Sequence, residues 1–410
     1  MKKWMALLGF VGLFLVLGGC RQHQNAYKPE IHSDATKVKL KLWVDLNQGD
    51  YYRKVVERFK KDHPNKQYNI TVIESEAGRA QEFVQKDPES AADIFVTPHD
   101  RIGQLVESGA VYQLTKYTNT IKKENTPTAV QAATYKNKIY GFPVTSESMF
   151  MYYDKRVFSE QEVKNFKTIT DKGKIGINLE EAGADFRETP WFISNGDYLY
   201  GKNGENPYGT TFNSRKGVET LTWISKLNKN KNVVPVNADE ISALSSGKIN
   251  AVLSGVWNAE AIKKVLGKNM GVAVYPSADL GSGNKNLFAF QQSNIFCINA
   301  FTEYPLDAMA LTNYLTNESN QVGAFKKLGK VPSNIQARKS KYVKDDPVAQ
   351  TVVEMTTARH SVLMPKIPEM NVFWQHMNSV LVDAYKGKIK QKDFSKSLDK
   401  LVDEVTPQRK

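Results

Sequence analysis

The hydrophobic period of residues 38–96 alternates, and that alternation restricts the fold more than any other feature of the chain. Val38, Leu40, Leu42 and Val44 recur every second residue with Lys39, Lys41 and Trp43 between them, the pattern of a strand. Tyr52, Val55, Val56 and Phe59 then recur at helical spacing. Residues 70–73 return to strand, residues 78–85 to helix, and Ile94, Phe95 and Val96 form the short apolar run typical of a buried parallel strand. This order predicts right-handed crossovers and an α/β layer, whose ligands gather beyond the C-terminal ends of the strands. Asp45 follows the first strand and residues 97–101 the third, so both fall at that edge.

The N-terminus carries an address. Lys2 and Lys3 precede an apolar run over residues 4–17, the order of a secretory signal and too short for the roughly 20 residues that span a bilayer. The run ends in Leu17-Gly18-Gly19-Cys20, which resembles the lipobox of bacterial lipoproteins. Cleavage after residue 19 would leave Cys20 as a lipidated N-terminus, and residues 20–37, polar and poor in apolar groups, would serve as a flexible tether. Arg21 after that cysteine, with no retention aspartate, points to the outer face of a single cytoplasmic membrane. Cys297 then has no partner and is expected to be a small buried apolar residue, so stability must come from a large core. With 41% apolar residues the chain has the means to build one.

The formal charge of +13 could mean nucleic acid, yet no basic block with interleaved aromatics appears, and the lysines are spread along helices. The charge therefore reads as solvation and attraction to an anionic membrane or wall. Residues 141–153 are extended, with Glu147 alone among uncharged neighbours, and suggest a crossing between domains. Residues 155–215 are rich in glycine and loops; Ser214 is placed to cap a helix carrying Val218, Leu221, Ile224 and Leu227. Strands are expected over residues 249–253, 270–275 and 287–298, with Trp257 in the turn after the first of these. Helices follow over residues 305–315, 320–328, 348–357 and 394–405.

The chemistry is constrained mostly by what is absent. The six histidines show no paired spacing, and no zinc cluster, phosphate loop, dinucleotide glycine pattern or Gly-Xaa-Ser-Xaa-Gly elbow can be written, so no metal and no cofactor is expected. Glycoside hydrolysis needs only two carboxylates, and Asp45, Asp100, Glu147 and Glu181 are available. A carboxylate on a sugar site equally well just accepts hydrogen bonds from hydroxyls.

Residues 363–374 read Leu-Met-Pro-Lys-Ile-Pro-Glu-Met-Asn-Val-Phe-Trp. Pro365 and Pro368 fix their own φ and push the preceding residues out of helical space, so residues 364–369 are predicted to be extended and stiff. Asn371 is placed to cap a helix on which Val372, Phe373, His376, Val380 and Leu381 form the apolar face, with Trp374 in the first turn. A flat apolar ring held that way suits the C–H face of a sugar. The same residues also suit ordinary helix packing.

Taken together, Thr97-Pro98-His99-Asp100-Arg101-Ile102-Gly103, Tyr140-Gly141-Phe142-Pro143-Val144, Gly255-Val256-Trp257 and residues 364–374 resemble, in order and approximate spacing, the maltose/maltodextrin-binding proteins, solute-binding lipoproteins of ABC importers. The resemblance covers residues 38–405. It implies an α/β, two-lobed periplasmic-binding-protein-like fold with a hinge and a ligand cleft between the lobes. The N-lobe would combine residues 38–145 with 294–331, and the C-lobe residues 146–293 with 332–410. Trp374 and Trp257 match positions that stack on glucose rings, and Phe186 a stacking tyrosine. Asp45, Asp100, Arg101 and Glu147 match polar contacts to hydroxyls, while His99 is expected to be a satisfied local hydrogen-bonding group. Thr97, Ala259 and Gln375 stand where relatives carry further aromatics, and the relatives' glutamate after the second strand has no clean counterpart between Glu74 and Glu82.

The implied function is capture of malto-oligosaccharides by a non-enzymatic, monomeric, lipid-anchored receptor that delivers them to ABC transporter permease subunits, without nucleic acid. The alternatives are a receptor for another oligosaccharide, such as a cyclodextrin or galacto-oligosaccharide, a secreted glycoside hydrolase, and a surface adhesin without a cleft.

Overall fold

The computed structural model describes residues 34–408. The leader, Cys20 and all but the end of the tether lie outside them. Among the described residues no helix is long and apolar enough to cross a membrane.

Two five-stranded sheets organise the chain. The first runs, edge to edge, Gln67–Glu74, Lys37–Val44, Ile94–Pro98, Asn294–Ile298 and Gly141–Pro143. Lys37–Val44 is parallel to both neighbours, whereas Asn294–Ile298 is antiparallel to both of its own. The second runs Val233–Pro235, Ile175–Ile177, Ala251–Ser254, Phe150–Asp154 and Met270–Ala273, with Phe150–Asp154 antiparallel to the strands on each side. A third sheet of three short strands, Ser361–Leu363, Ala289–Gln292 and Glu147–Ser148, joins the parts. Its middle strand is separated from Asn294–Ile298 of the first sheet by Ser293 alone. The α/β architecture follows the predicted alternation.

The local reasons are those of the sequence. In Lys37–Val44 the residues Val38, Leu40, Leu42 and Val44 are buried, while Lys37 and Lys39 face water. Ile94 to Thr97 are all buried, as a strand covered on both faces requires. The helix Gly49–Asp62 buries Tyr52, Val55, Val56 and Phe59, and its entry is fixed by Glu74, whose carboxylate accepts from the backbone N–H of Gly49 at 2.8 Å and of Asn47 at 3.1 Å. Such a charge at a helix N-terminus offsets the unpaired donors there. Ser214 caps Arg215–Leu227 by accepting from Gly217 N–H at 3.1 Å. Cys297 is free and buried.

Three local readings are corrected. Residues 77–79 form a tight 3₁₀ turn before the helix Ala80–Lys86. Residues 287–298 form two strands broken at Ser293, which lets the chain leave one sheet for another. The stiff segment stays extended only as far as Lys366; Pro368 and Glu369 turn, and the helix Met370–Tyr385 starts two residues early, with Glu369 in the cap position. Asn371 therefore lies inside the helix, not at its cap, and its amide donates to Gln104 Oε1 at 3.2 Å. The buried stripe is Met370, Phe373, Met377 and Leu381, which leaves Val372 exposed and His376 half-exposed beside Glu404.

Glu188, the last residue of the helix Ala184–Glu188, is buried, with Oε2 lacking a hydrogen-bond partner. Burial pushes its carboxyl well above the ordinary 4.5, against the pull of Arg187. Below pH 4.5 folded and unfolded chains both hold that proton, so its stabilising contribution is complete there. Above it the unfolded chain releases the proton and the folded one does not, so stability falls as pH rises toward the folded value. Glu188→Gln is expected to raise the melting temperature at about pH 7.5 and leave it unchanged at about pH 4. A pH-independent difference in thermal scans would count against this reading.

Candidate ligand-binding site

The small third sheet brings distant motifs together. Glu147 pairs with Gln292, and Phe290, two residues earlier, pairs with Val362 on the other side. Leu363 closes that strand and leads directly into the segment before Trp374. Phe290 is buried and forms the hub of a ring cluster: the Trp374 ring meets it edge-on at 6.0 Å, and Phe186 meets it at 6.1 Å. Phe373 adds an edge contact to Trp374 at 5.2 Å. Trp374 and Phe186 are both half-buried, so each ring is backed on one side while part of it stays open. Sequence reading missed Phe290; its signal was an aromatic within an apolar strand, which core packing alone would also produce.

Asp100 and Arg101 enter from the first sheet. They lie in the short turn His99–Arg101 directly after Ile94–Pro98, and His99 ties that turn to the junction residue Ser293. The backbone N–H of His99 donates to Ser293 O at 3.0 Å, Ser293 N–H reaches Nδ1 at 3.3 Å, and Nε2 lies 3.0 Å from Met364 O. These partners assign the neutral ring with its proton on Nε2. Burial pushes its pKa down to about 3, with Lys366 adding to the shift. His99 is thus a satisfied local group, as expected.

The polar candidates are conspicuously under-bonded. Asp100 and Arg101 pair at 3.4 Å, yet Asp100 Oδ1 and Arg101 Nε are buried without hydrogen-bond partners. Burial raises the Asp100 pKa and Arg101 opposes the rise. Glu147 lies 3.6 Å from Lys330, and its Oε1 is likewise buried without a hydrogen bond. A buried polar atom left unpaired costs about 1–3 kcal/mol, which hydroxyls of a ligand or ordered water recover. Asp45 stands at the same sheet edge, half-buried, and accepts from Ala77 N–H at 3.1 Å. Glu181, by contrast, is hydrogen-bonded to Asn237 Nδ2 at 2.6 Å.

Trp257 is not part of the ring cluster. It sits in the turn Val256–Asn258 after Ala251–Ser254, and with 57% of its surface exposed it is the most open large apolar side chain among the described residues. Its ring folds back over Gly255, where an added Cβ would come within 2.1 Å of ring carbons. The glycine is needed for close approach, since its φ of −110° suits any residue. Gly255→Ala is expected to swing the exposed ring outward, weakening ligand binding by about tenfold while the melting temperature changes by only a few degrees. Unchanged affinity in a titration of that variant would show that the ring's resting place is irrelevant. Among the described residues no group of three or more His, Cys, Asp or Glu could hold a metal ion.

Comparison with known proteins decides the family. The family model for bacterial extracellular solute-binding proteins matches residues 54–351. The chain belongs to that family. Its relatives include a galactooligosaccharide-binding protein of Bacillus subtilis, 25% identical over 94% of this chain and 93% of that protein. A maltodextrin-binding protein of the same organism is 24% identical over 95% and 94% of the two chains. Among solved structures, the maltodextrin-binding protein of L. casei BL23 without ligand is 33% identical, with a TM-score of 0.87 over 91% of this chain and 100% of that one. The two-lobed fold is shared with these solute-binding proteins.

Proposed function

We propose that the protein is a receptor for malto-oligosaccharides that delivers them to the permease of an ABC importer. The observation that carries this reading is the convergence, along one seam, of an aromatic wall built from Trp374, Phe290 and Phe186 with the under-bonded Asp100, Arg101 and Glu147. A sugar ring offers what each half lacks: a C–H face for the rings and hydroxyls for the charged groups. Trp257 and Asp45 complete the site. The relatives named for maltodextrin binding support the same ligand.

The N-lobe comprises residues 38–145 and 294–331, and the C-lobe residues 146–293 and 332–410. The bridge between Thr145 and Pro332 and the change of sheet at Ser293 support these limits. A sugar touching both lobes favours the closed form by its differential contacts, and the permease recognises that form. The carboxylates act as acceptors and no bond is broken. Cys20 carries the lipid, which holds a monomer to the outer face of the cytoplasmic membrane.

A second reading has its own support. The galactooligosaccharide-binding relative matches over 94% of the chain and the maltodextrin-binding one over 95%, and Thr97 and Ala259 leave the site short of two aromatic plates. The deciding experiment is a tryptophan-fluorescence titration of the chain from residue 21 with maltotriose, longer maltodextrins, a cyclodextrin and a galacto-oligosaccharide. Chromatography of each sugar accompanies it. Saturable change with intact maltodextrin is the expected outcome. A response to galacto-oligosaccharide alone replaces the ligand, and cleavage of any sugar overturns the receptor reading.

A further inference from the structure

Trp257 presents a physical problem. A ring more than half exposed has little packing beyond the Gly255 backbone it lies over, yet a stacking plate is useful only when its position is fixed before the ligand arrives. Whatever fixes it must act through the backbone of its turn.

Directly beneath that turn lies a buried carboxylate, Glu240, the first residue of the helix Glu240–Ser245 and only 3% exposed. Its Oε1 accepts from Ser254 Oγ at 2.9 Å and from the amide of Asn258. These two residues flank Gly255, Val256 and Trp257, and the Asn258 amide also reaches Ser254 Oγ at 3.1 Å. Tyr152 Oη donates to Gly255 O at 3.0 Å, so the turn is bonded on its entry side at Ser254 and Gly255 and at its end at Asn258. The other oxygen, Oε2, has no hydrogen bond and faces Arg187 Nη1 at 3.5 Å. Arg187 also donates to Leu253 O at 3.3 Å, and it follows Phe186 in the helix Ala184–Glu188.

We propose that Glu240 is a positioning residue that fixes the Trp257 plate relative to the Phe186 plate, through Ser254 and Asn258 on one side and Arg187 on the other, and so sets which glycan spacing the site accepts. The inference rests on the receptor reading for its ligand but not for its geometry. Helix Ala184–Glu188 and the Trp257 turn are separated in sequence; the carboxylate is hydrogen-bonded to the residues that flank the turn and ion-paired to Arg187 of the helix. Removing the carboxylate takes away the acceptor that Ser254 Oγ and the Asn258 amide share, leaving the amide only Ser254 Oγ and Arg187 only the Leu253 carbonyl.

The test uses the chain from residue 21 with 5-fluorotryptophan, whose ¹⁹F resonances are assigned from Trp257→Phe and Trp374→Phe. Glu240→Ala is expected to shift or broaden the Trp257 resonance in the sugar-free protein while Trp374 keeps its own. Affinity for maltotetraose falls about tenfold, and for maltose, which has half as many rings to stack, about threefold or less. Glu240→Gln retains the acceptor but not the ion pair, and is expected to restore the Trp257 resonance and most of the maltotetraose affinity. A Trp257 resonance unmoved in Glu240→Ala overturns the proposal, as does an equal loss for both sugars. If Glu240→Ala does not fold, Asn258→Ala and Arg187→Met are read in the same way. If the unaltered protein binds none of the sugars, the receptor reading fails and the resonances alone decide this one.

Discussion

Trp374→Ala is expected to weaken maltotriose binding by roughly 30-fold or more, the equivalent of about 2–4 kcal/mol for a buried aromatic anchor. A stacked indole covers roughly 150–250 Å² of apolar surface, and no neighbour replaces it. Phe290 is buried behind it and Phe373 points into the core, so truncation leaves a dent and not a new plate. Trp374→Phe keeps a flat face and is expected to recover part of the loss. Calorimetric titration gives the affinities, and thermal unfolding separates binding from stability: because Trp374 is only half-buried, its truncation costs the fold little. Equal affinity for Trp374→Ala and the unaltered chain would remove this residue from the site.

The second large effect is on stability. Lys366, in the middle of the stiff segment, is 1% exposed. Its ammonium donates to Gln131 O at 2.7 Å and Thr134 O at 2.5 Å, at the C-terminal end of the helix Pro127–Ala132, and pairs with Glu205 at 2.8 Å. Burial lowers its pKa and Glu205 opposes the shift, so the charge is held by its partners. Lys366→Met keeps the volume but leaves two carbonyls and a carboxylate without their donor, which is expected to cost about 3–5 kcal/mol. Glu205→Gln is expected to cost about 1 kcal/mol, since that carboxylate keeps 29% of its side-chain surface in water and the two carbonyls still hold the ammonium. Denaturant unfolding of both variants, compared by midpoint, checks the order. Equal costs would mean that the ion pair, and not the carbonyls, dominates.

The fold was legible wherever a single period governed a segment. Val38 to Val44 and Tyr52 to Phe59 declared strand and helix because one face of each is buried by the same core. The contribution of residues 294–298 to the first sheet was not readable from period at all, because an apolar strand carries no mark of which sheet will accept it. The site divided in the same way. Glu147 stood out as a charge among uncharged neighbours, and Trp374 as an aromatic set shortly after two prolines. Phe290, Arg187 and Glu240 did not, since a backing ring and a buried ion pair look in sequence like core and surface. The prolines before Trp374 were read as a rigid aiming device; the turn at Pro368 and the bonding of Lys366 make that segment a bolted one, held by partners that no local pattern reveals.

The placement of Asn294–Ile298 between Ile94–Pro98 and Gly141–Pro143 carries a consequence for synthesis. A chain emerging from its N-terminus presents Ile94–Pro98 with one flank unclaimed, and it must stay so until the residues that fill the gap have followed. The first sheet is therefore unable to close until residues 294–298 have been made, after the whole of the second sheet, which gives it long-range pairings that form late. It also leaves a sheet edge open to the wrong partner for that whole interval, so a chain truncated before residue 294 is expected to aggregate, not to yield a free-standing lobe.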